Sequence, residues 1–127
     1  MSKVLLVGHC GPDSTYLRMA VKSALGDATI IAADDAETLD KSLQQGVDLI
    51  LFNRELSWGF ESTAGVDVIR QFKTKYPQVK MMLISNYPDA QAAAVAAGAL
   101  PGFGKRQIGS AQATKLLRDA MGLEVQP

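Results

Sequence analysis

Five short apolar runs alternate with five helix-like stretches along the chain, and this alternation limits the available folds more than any other feature. The predicted strands are Val4–Val7, Ala28–Ala32, Leu49–Phe52, Lys80–Ile84 and a short strand around Gly102 and Phe103. Continuous apolar runs, rather than alternating ones, are typical of parallel strands that are buried on both faces. Strict alternation with short connections therefore predicts a parallel sheet covered by helices on both sides.

Capping residues, glycines and a proline mark the ends of the predicted helices. Asp13 or Ser14 can cap the first helix and Gly26 ends it, while Pro77 stops the third. The helices are predicted at Ser14–Leu25, Ala36–Gln45, Gly65–Tyr76, Asp89–Ala97 and from the cap at Ser110 to Gly122. Five such units predict a flavodoxin-like α/β fold, a (βα)5 three-layer sandwich whose five-stranded parallel sheet has the order 2-1-3-4-5.

Composition excludes several classes of function. The 127 residues suit a single domain, and 47% of them are hydrophobic. Lysine plus arginine equals aspartate plus glutamate at 13 each, so a basic face for direct nucleic-acid binding is not expected. No apolar run approaches the ~18 residues of a membrane span, and the N-terminal run is too short for a signal peptide. With a single cysteine, the sequence predicts a soluble, cytoplasmic protein that acts by binding another molecule.

Several segments, taken in order, resemble the receiver domain of bacterial two-component response regulators over nearly the whole chain. The matching segments are Asp48-Leu49-Ile50-Leu51-Phe52-Asn53, Gly65-Val66-Asp67-Val68-Ile69-Arg70, Met82-Leu83-Ile84-Ser85, Ala96-Ala97-Gly98-Ala99 and Lys105. The resemblance implies a receiver-like domain over residues 1–127 and a role in phosphorelay signalling, with a histidine kinase or an output protein as partner. In that family two acidic residues hold Mg²⁺, an aspartate accepts the phosphoryl group, and a Ser/Thr hydroxyl and a lysine bind its oxygens.

The residues that carry this chemistry in the family are only partly present here. Gly8 and His9 stand where the acidic pair is expected, and Asn53 stands where the nucleophilic aspartate is expected, whereas Ser85 and Lys105 match. An amide cannot attack phosphorus, and Mg²⁺ prefers hard oxygen ligands. The sequence therefore predicts a degenerate phosphorylation pocket formed by these five residues, with no catalytic residues, no cofactor, and Mg²⁺ binding lost or weak.

Two further departures from the family concern its conformational switch and a possible replacement carboxylate. The aromatic residue expected three positions before the lysine is Gly102, and the proline expected after the lysine is Arg106. A displaced carboxylate would restore metal binding or phosphorylation, and the candidates are Asp13, Asp34, Asp35 and Glu55. The pair Asp34–Asp35 is also expected to cap the helix that follows.

The segment between the third strand and the third helix is the best candidate for contact with a partner. It is longer than in the family and carries Trp58 and Phe60. Two interpretations remain open for these aromatic side chains. They either fold back over the pocket and seal it, or they are exposed anchors for a protein partner, a role in which aromatic residues are enriched.

These observations predict a stand-alone, receiver-like signalling module that acts by phosphorylation-independent protein–protein interaction and is not an enzyme. A homodimer is left open, because the alanine-rich helix Asp89–Ala97 has a smooth surface. One alternative is a flavodoxin-like domain that binds a small anionic ligand or nucleotide in the remodelled pocket. The other is a true phosphoacceptor that uses an unusual carboxylate such as Glu55.

Overall fold

The computed structural model describes residues 2–56, 59–60 and 62–122. Within these residues the strands are β1 (Lys3–Val7), β2 (Thr29–Ala33), β3 (Leu49–Asn53), β4 (Lys80–Ile84) and β5 (Leu100–Phe103). The α-helices are α1 (Gly11–Ala24), α2 (Ala36–Gln45), α3 (Gly65–Lys75), α4 (Pro88–Ala96) and α5 (Ala111–Ala120), and a 3-10 turn covers Lys105–Gln107. No helix in these ranges is long and apolar enough to cross a membrane.

The strands pair in parallel in the order β2-β1-β3-β4-β5, which confirms the predicted flavodoxin-like sheet. Val7 lies opposite Phe52 at the ends of β1 and β3, and Asn53 lies opposite Ile84 at the ends of β3 and β4. The residues that follow these three strands are therefore neighbours at one edge of the sheet, where ligands collect in open α/β folds.

Helices bury both faces of the sheet, which explains the continuous apolar runs. In β1, Leu5 and Val7 pack in the cluster that contains α2, α3 and α4, whereas Val4 and Leu6 pack in the cluster that contains α1 and α5. Successive residues of a strand point to opposite faces, so both sets must be apolar. The interior residues of the sheet are therefore apolar, and the polar residues that could bind a ligand lie at the ends of the strands.

Several boundaries differ from the sequence prediction by one to three residues. α1 begins at Gly11 rather than Ser14, and α4 begins at Pro88 rather than Asp89. Both helices have a proline in the first turn, where its fixed φ suits a helix and its missing N–H is not needed. β5 begins earlier than predicted, at Leu100.

Candidate functional site

Asn53 ends β3, and its side-chain amide is held by backbone groups on all sides. Its Nδ2 donates to the carbonyl oxygen of Gly8 at 3.0 Å and to that of Glu55 at 2.9 Å. Its Oδ1 accepts from the backbone N–H of Arg54 at 3.1 Å. Because carbonyl oxygens only accept, the group that faces Gly8 and Glu55 must be a donor. A carboxylate placed there would set oxygen against oxygen, so this end of the pocket is shaped for an amide.

A hydrocarbon side chain fills the space beside Gly8. Gly8 has a φ of +76°, and a Cβ atom built on it would overlap Leu56 Cδ2. Leu56 is buried and packs in the same core cluster as Phe52. A residue other than glycine at position 8 would have to displace Leu56 and adopt a left-handed backbone conformation that side chains disfavour. Position 8, which is acidic in the family that this chain resembles, therefore accepts a larger side chain only if Leu56 moves.

The His9 side chain contacts the backbone of β3. Its Nε2 donates to the carbonyl oxygen of Leu51 at 2.8 Å, which places the ring proton on Nε2. Burial is the main cause that lowers the pKa of His9 below its ordinary value, and the charge of Lys105 lowers it further. The Leu51 contact and the charges of Asp13 and Asp34 oppose this shift without cancelling it. His9 is therefore mainly neutral at pH 7, and its Nε2 is engaged by the Leu51 carbonyl group.

Lys105 follows β5 and forms an ion pair with Asp13 in the first turn of α1. The Nζ–Oδ2 distance is 3.1 Å, and the two side chains are 39% and 23% exposed. The hydrogen bond from Lys105 is the main cause that lowers the pKa of Asp13. Pairs with this degree of exposure contribute about 0–1 kcal/mol to stability. The ion pair has a larger effect on the charge of the site, because it neutralises Lys105, which would otherwise be available to bind an anionic ligand.

Ser85 lies directly after β4 and is buried. Its Oγ accepts from the backbone N–H of Tyr87 at 3.2 Å, and its own N–H donates to the carbonyl oxygen of Phe103 at 3.0 Å. The hydroxyl thus supports the turn that leads into α4, and the backbone ties that turn to β5.

A cavity of about 250 Å³ opens at this edge of the sheet. Its lining residues are Asn53, Arg54, Glu55, Ile84, Ser85, Asn86, Tyr87 and Lys105. The Arg54 guanidinium lies 4.5 Å from the centre of the Tyr87 ring and 2.9 Å from the Glu55 carboxylate. Both cations that line the cavity, Arg54 and Lys105, therefore have a carboxylate partner, and the rim carries little excess charge.

The structure thus brings only part of the predicted pocket together around the cavity. Asn53, Ser85 and Lys105 line it, Gly8 meets Asn53 through its carbonyl group, and His9 faces Leu51. Sequence reasoning missed Arg54, Tyr87 and, on α4, Gln91. Gln91 is the one polar residue in the alanine-rich stretch Ala90–Ala97, and this isolation was the available signal.

Mg²⁺ takes hard oxygen ligands in near-octahedral geometry. In the described part of the chain, no three His, Cys, Asp or Glu side chains lie close enough together to hold a metal ion. The candidate carboxylates have other partners, since Asp13 pairs with Lys105 and Glu55 pairs with Arg54. Asp35 accepts a hydrogen bond in the first turn of α2, as its predicted capping role requires.

The two aromatic residues proposed as partner anchors have different outcomes. Trp58 lies outside the described residues, so its role stays a prediction. Phe60 is 8% exposed and packs in the core cluster with Leu56, so the prediction of an exposed anchor is wrong for Phe60. The neighbouring Gly59 accepts a hydrogen bond from Ala36 N–H at 3.0 Å, which ties the loop to α2. Burial of an aromatic ring that close to the core is favourable because it removes apolar surface from water.

The fold is that of response regulator receiver domains. The chain superposes on the RcsB response regulator of Salmonella typhimurium with a TM-score of 0.76 and 13% identity, covering 99% of this chain but only 63% of that one. The receiver domain of the stress response regulator RcsB from Escherichia coli gives a TM-score of 0.75 at 13% identity, with 99% and 98% covered. A response regulator from Thermotoga maritima gives 0.73 at 20% identity, with 96% and 98% covered.

Likeness in sequence is much weaker than likeness in fold. No family model matches the chain, and no curated protein matches it in sequence. This chain spans less than two thirds of the length of the Salmonella regulator. The comparisons establish a receiver-type, flavodoxin-like fold.

Proposed function

We propose that this chain is a receiver-like signalling module that does not accept a phosphoryl group and acts through phosphorylation-independent contact with a protein partner. The observation that carries the proposal is the Asn53 amide, whose nitrogen donates to the carbonyl oxygens of Gly8 and Glu55. The fold shared with response regulator receivers supports a role in two-component signalling. The protein is proposed to work in the cytoplasm, without an enzymatic activity of its own.

Phosphoryl transfer depends on positioning and on neutralising charge, and the groups needed for it are either absent from this pocket or engaged with other partners. The amide at position 53 is not a nucleophile, and Leu56 occupies the space beside Gly8. Lys105 is neutralised by Asp13. We therefore expect Mg²⁺ binding to be lost or weak, and the conformation to be independent of small phosphodonors.

The proposed partner is a protein of the same pathway, either a histidine kinase or an output protein. An apolar groove of about 250 Å³ on α1 suits such a contact and is lined by Tyr16, Met19, Ala20, Ser23, Ile108 and Gly109. Tyr16 and Met19 are 60% and 65% exposed, although they are large and hydrophobic. Exposed side chains of this kind are costly in water and are enriched in protein–protein interfaces. A homodimer through the exposed Val95 on α4 remains a further proposal.

The test combines mass spectrometry with an amide NMR titration. The protein is incubated with acetyl phosphate and millimolar Mg²⁺, and its intact mass is measured beside a receiver that has an aspartate nucleophile. We expect no phosphoryl adduct on this chain. In the titration, Mg²⁺ followed by beryllofluoride should leave the amides of Asn53, Ser85 and Lys105 unshifted. An adduct, or shifts that cluster at these residues and saturate, would overturn the proposal. Peptide mapping of an adduct would reveal whether Glu55 is the acceptor.

A second candidate function is binding of a small anionic ligand or nucleotide in the cavity. The observation that favours it is the presence of Arg54 and Lys105 in the cavity lining. It ranks lower because each cation already has a carboxylate partner. An ultraviolet-visible spectrum and native mass spectrometry of the purified protein test it, since a tightly bound ligand should co-purify.

A further inference from the structure

Gln91, on α4, is hydrogen-bonded to both β4 and β5. Its Nε2 donates to the carbonyl oxygen of Leu83 at 2.8 Å and to that of Ser85 at 3.1 Å, and lies 3.4 Å from that of Phe103. Its Oε1 accepts from the backbone N–H of Gly102 at 3.2 Å. The amide nitrogen has only two hydrogens for three carbonyl oxygens, so the contact with Phe103, which is the longest, is the weakest of the three. One side chain thus joins the helix, the end of β4 and the middle of β5.

An irregularity in the sheet creates the need for these hydrogen bonds. Met82 pairs with Leu100 and Ile84 pairs with Phe103, so β5 has one residue more than β4 between the two pairs. Such a bulge disrupts the regular ladder and leaves backbone groups to find other partners. The Gln91 amide supplies both a donor and an acceptor at this point.

The same contacts explain why position 102 is a glycine. A Cβ atom on Gly102 would overlap the carbonyl oxygen of Leu83 and would lie 3.1 Å from Gln91 Oε1. The aromatic residue that the family resemblance implies at this position has no space in this arrangement. Gln91 occupies the interior between α4 and β5 from the helix side.

Besides Gln91, α4 is attached to the sheet by few apolar side chains, chiefly the buried Ala94 and the partly buried Ala90. It spans nine residues, Pro88–Ala96, and Ala94 is its one buried residue. Burial of a single methyl group contributes only about 1 kcal/mol. Alanine-rich helices of this length are marginal in water without tertiary contacts. The hydrogen bonds of Gln91 are therefore a large part of what positions the helix.

We propose that Gln91 fixes α4, the β4–α4 turn and β5 in one arrangement, so that this face is a constant surface and not a switch. We call its amide and the backbone groups of Leu83, Ser85 and Gly102 the Gln91 bridge. Ser85 extends the bridge toward the exposed Tyr87 through its Oγ. The inference goes beyond the proposed function and does not depend on it, because every contact lies within this chain and involves no partner.

Gln91→Glu is the sharpest variant for testing the bridge. It keeps the size of the side chain and the acceptor for Gly102 N–H, but it turns a carboxylate oxygen toward the carbonyl oxygens of Leu83 and Ser85. At pH 7 we expect hydrogen exchange at Gly102, Ser85 and the α4 amides to accelerate roughly 10- to 100-fold relative to wild type at the same pH. As pH falls and the acid becomes protonated, its O–H can donate again, and the difference from wild type should shrink.

Two further variants keep the test decisive. Gln112→Glu makes the same chemical change on the exposed side of α5, where the side-chain oxygen only accepts from Gln107, and it should leave exchange at α4 unchanged. Gln91→Met removes donor and acceptor at nearly constant volume, and it should accelerate exchange in the same segments without dependence on pH. Unchanged exchange at Gly102 and α4 in both Gln91 variants would overturn the inference. Acceleration spread evenly over α1, α2 and α5 would overturn it as well.

Discussion

Asn53→Asp restores the nucleophile of the resembling family, yet we expect it to destabilise this protein. The amide nitrogen lies 3.0 Å from the Gly8 carbonyl oxygen and 2.9 Å from the Glu55 carbonyl oxygen. The substitution replaces this donor by a negatively charged acceptor and removes both hydrogen bonds. The hydrogen bond from Arg54 N–H to Oδ1 is retained. The two cations that line the cavity, Arg54 and Lys105, already pair with Glu55 and Asp13.

The size of the effect follows from these contacts. A hydrogen bond contributes about 0.5–1.5 kcal/mol net, and a buried carbonyl left without its partner costs about 1–3 kcal/mol. Asn53 is only partly buried, so solvent offsets some of the loss. We expect a decrease of about 1–3 kcal/mol in the free energy of unfolding, within the ~5–15 kcal/mol that keeps a domain folded.

Urea unfolding at pH 7, followed by circular dichroism, measures this change with and without millimolar Mg²⁺. Asn86→Asp is the matched control, because it adds the same charge to the same cavity. Its side-chain oxygen can still accept the hydrogen bond from Arg106 N–H, which is 3.1 Å long in the wild type. We expect the control to change stability by less than about 0.5 kcal/mol.

The pH dependence adds a second check on the Asn53→Asp variant. Repulsion from the two carbonyl oxygens raises the pKa of the introduced carboxyl group above its unfolded value of about 3.9. The destabilisation is therefore complete above the raised pKa and decreases as pH falls toward the unfolded value, because the protonated acid can donate. Equal stability of the variant and the wild type at pH 7, or full recovery on adding Mg²⁺, would refute the reasoning.

Three further outcomes are expected. Burial lowers the pKa of His9. The contribution of the neutral imidazole to stability is therefore complete above the unfolded pKa of about 6.5, and it is lost as pH falls toward the folded pKa. His9→Gln should reduce this loss of stability at acid pH, as measured by urea unfolding over a range of pH. Gly8→Ala should reduce the unfolding free energy by about 1–3 kcal/mol, because φ is +76° and the neighbouring leucine must move, whereas Gly11→Ala, with open space at its Cβ, should not. Asp13→Asn should cost less than about 1 kcal/mol but free Lys105, so inorganic phosphate should shift the Lys105 amide in NMR titrations of the variant more than in wild type.

The sequence alone determined the layered fold, because burial of a parallel sheet on both faces leaves a pattern that local reading detects. Leu49–Phe52 and Met81–Ile84 are apolar throughout, and helix signals separate them from their neighbours. The sequence also determined the chemical identity of position 53, since an amide lacks a nucleophilic oxygen in any fold. α1 and α4 begin earlier than predicted, because each has a proline in its first turn, where the fixed φ suits a helix start.

Only the tertiary structure decided how the polar groups pair. Asn53 meets Gly8, Lys105 meets Asp13, and Gln91 meets Gly102 across separate elements. Two interpretations were open for Phe60, a ring folded back over the pocket or an exposed anchor, and only the packed structure shows that the ring is buried. The physical reason is range: periodicity and capping act within a few residues, whereas these contacts depend on strand register, a bulge and the space left by neighbouring side chains. Those quantities exist only once the distant segments have packed together.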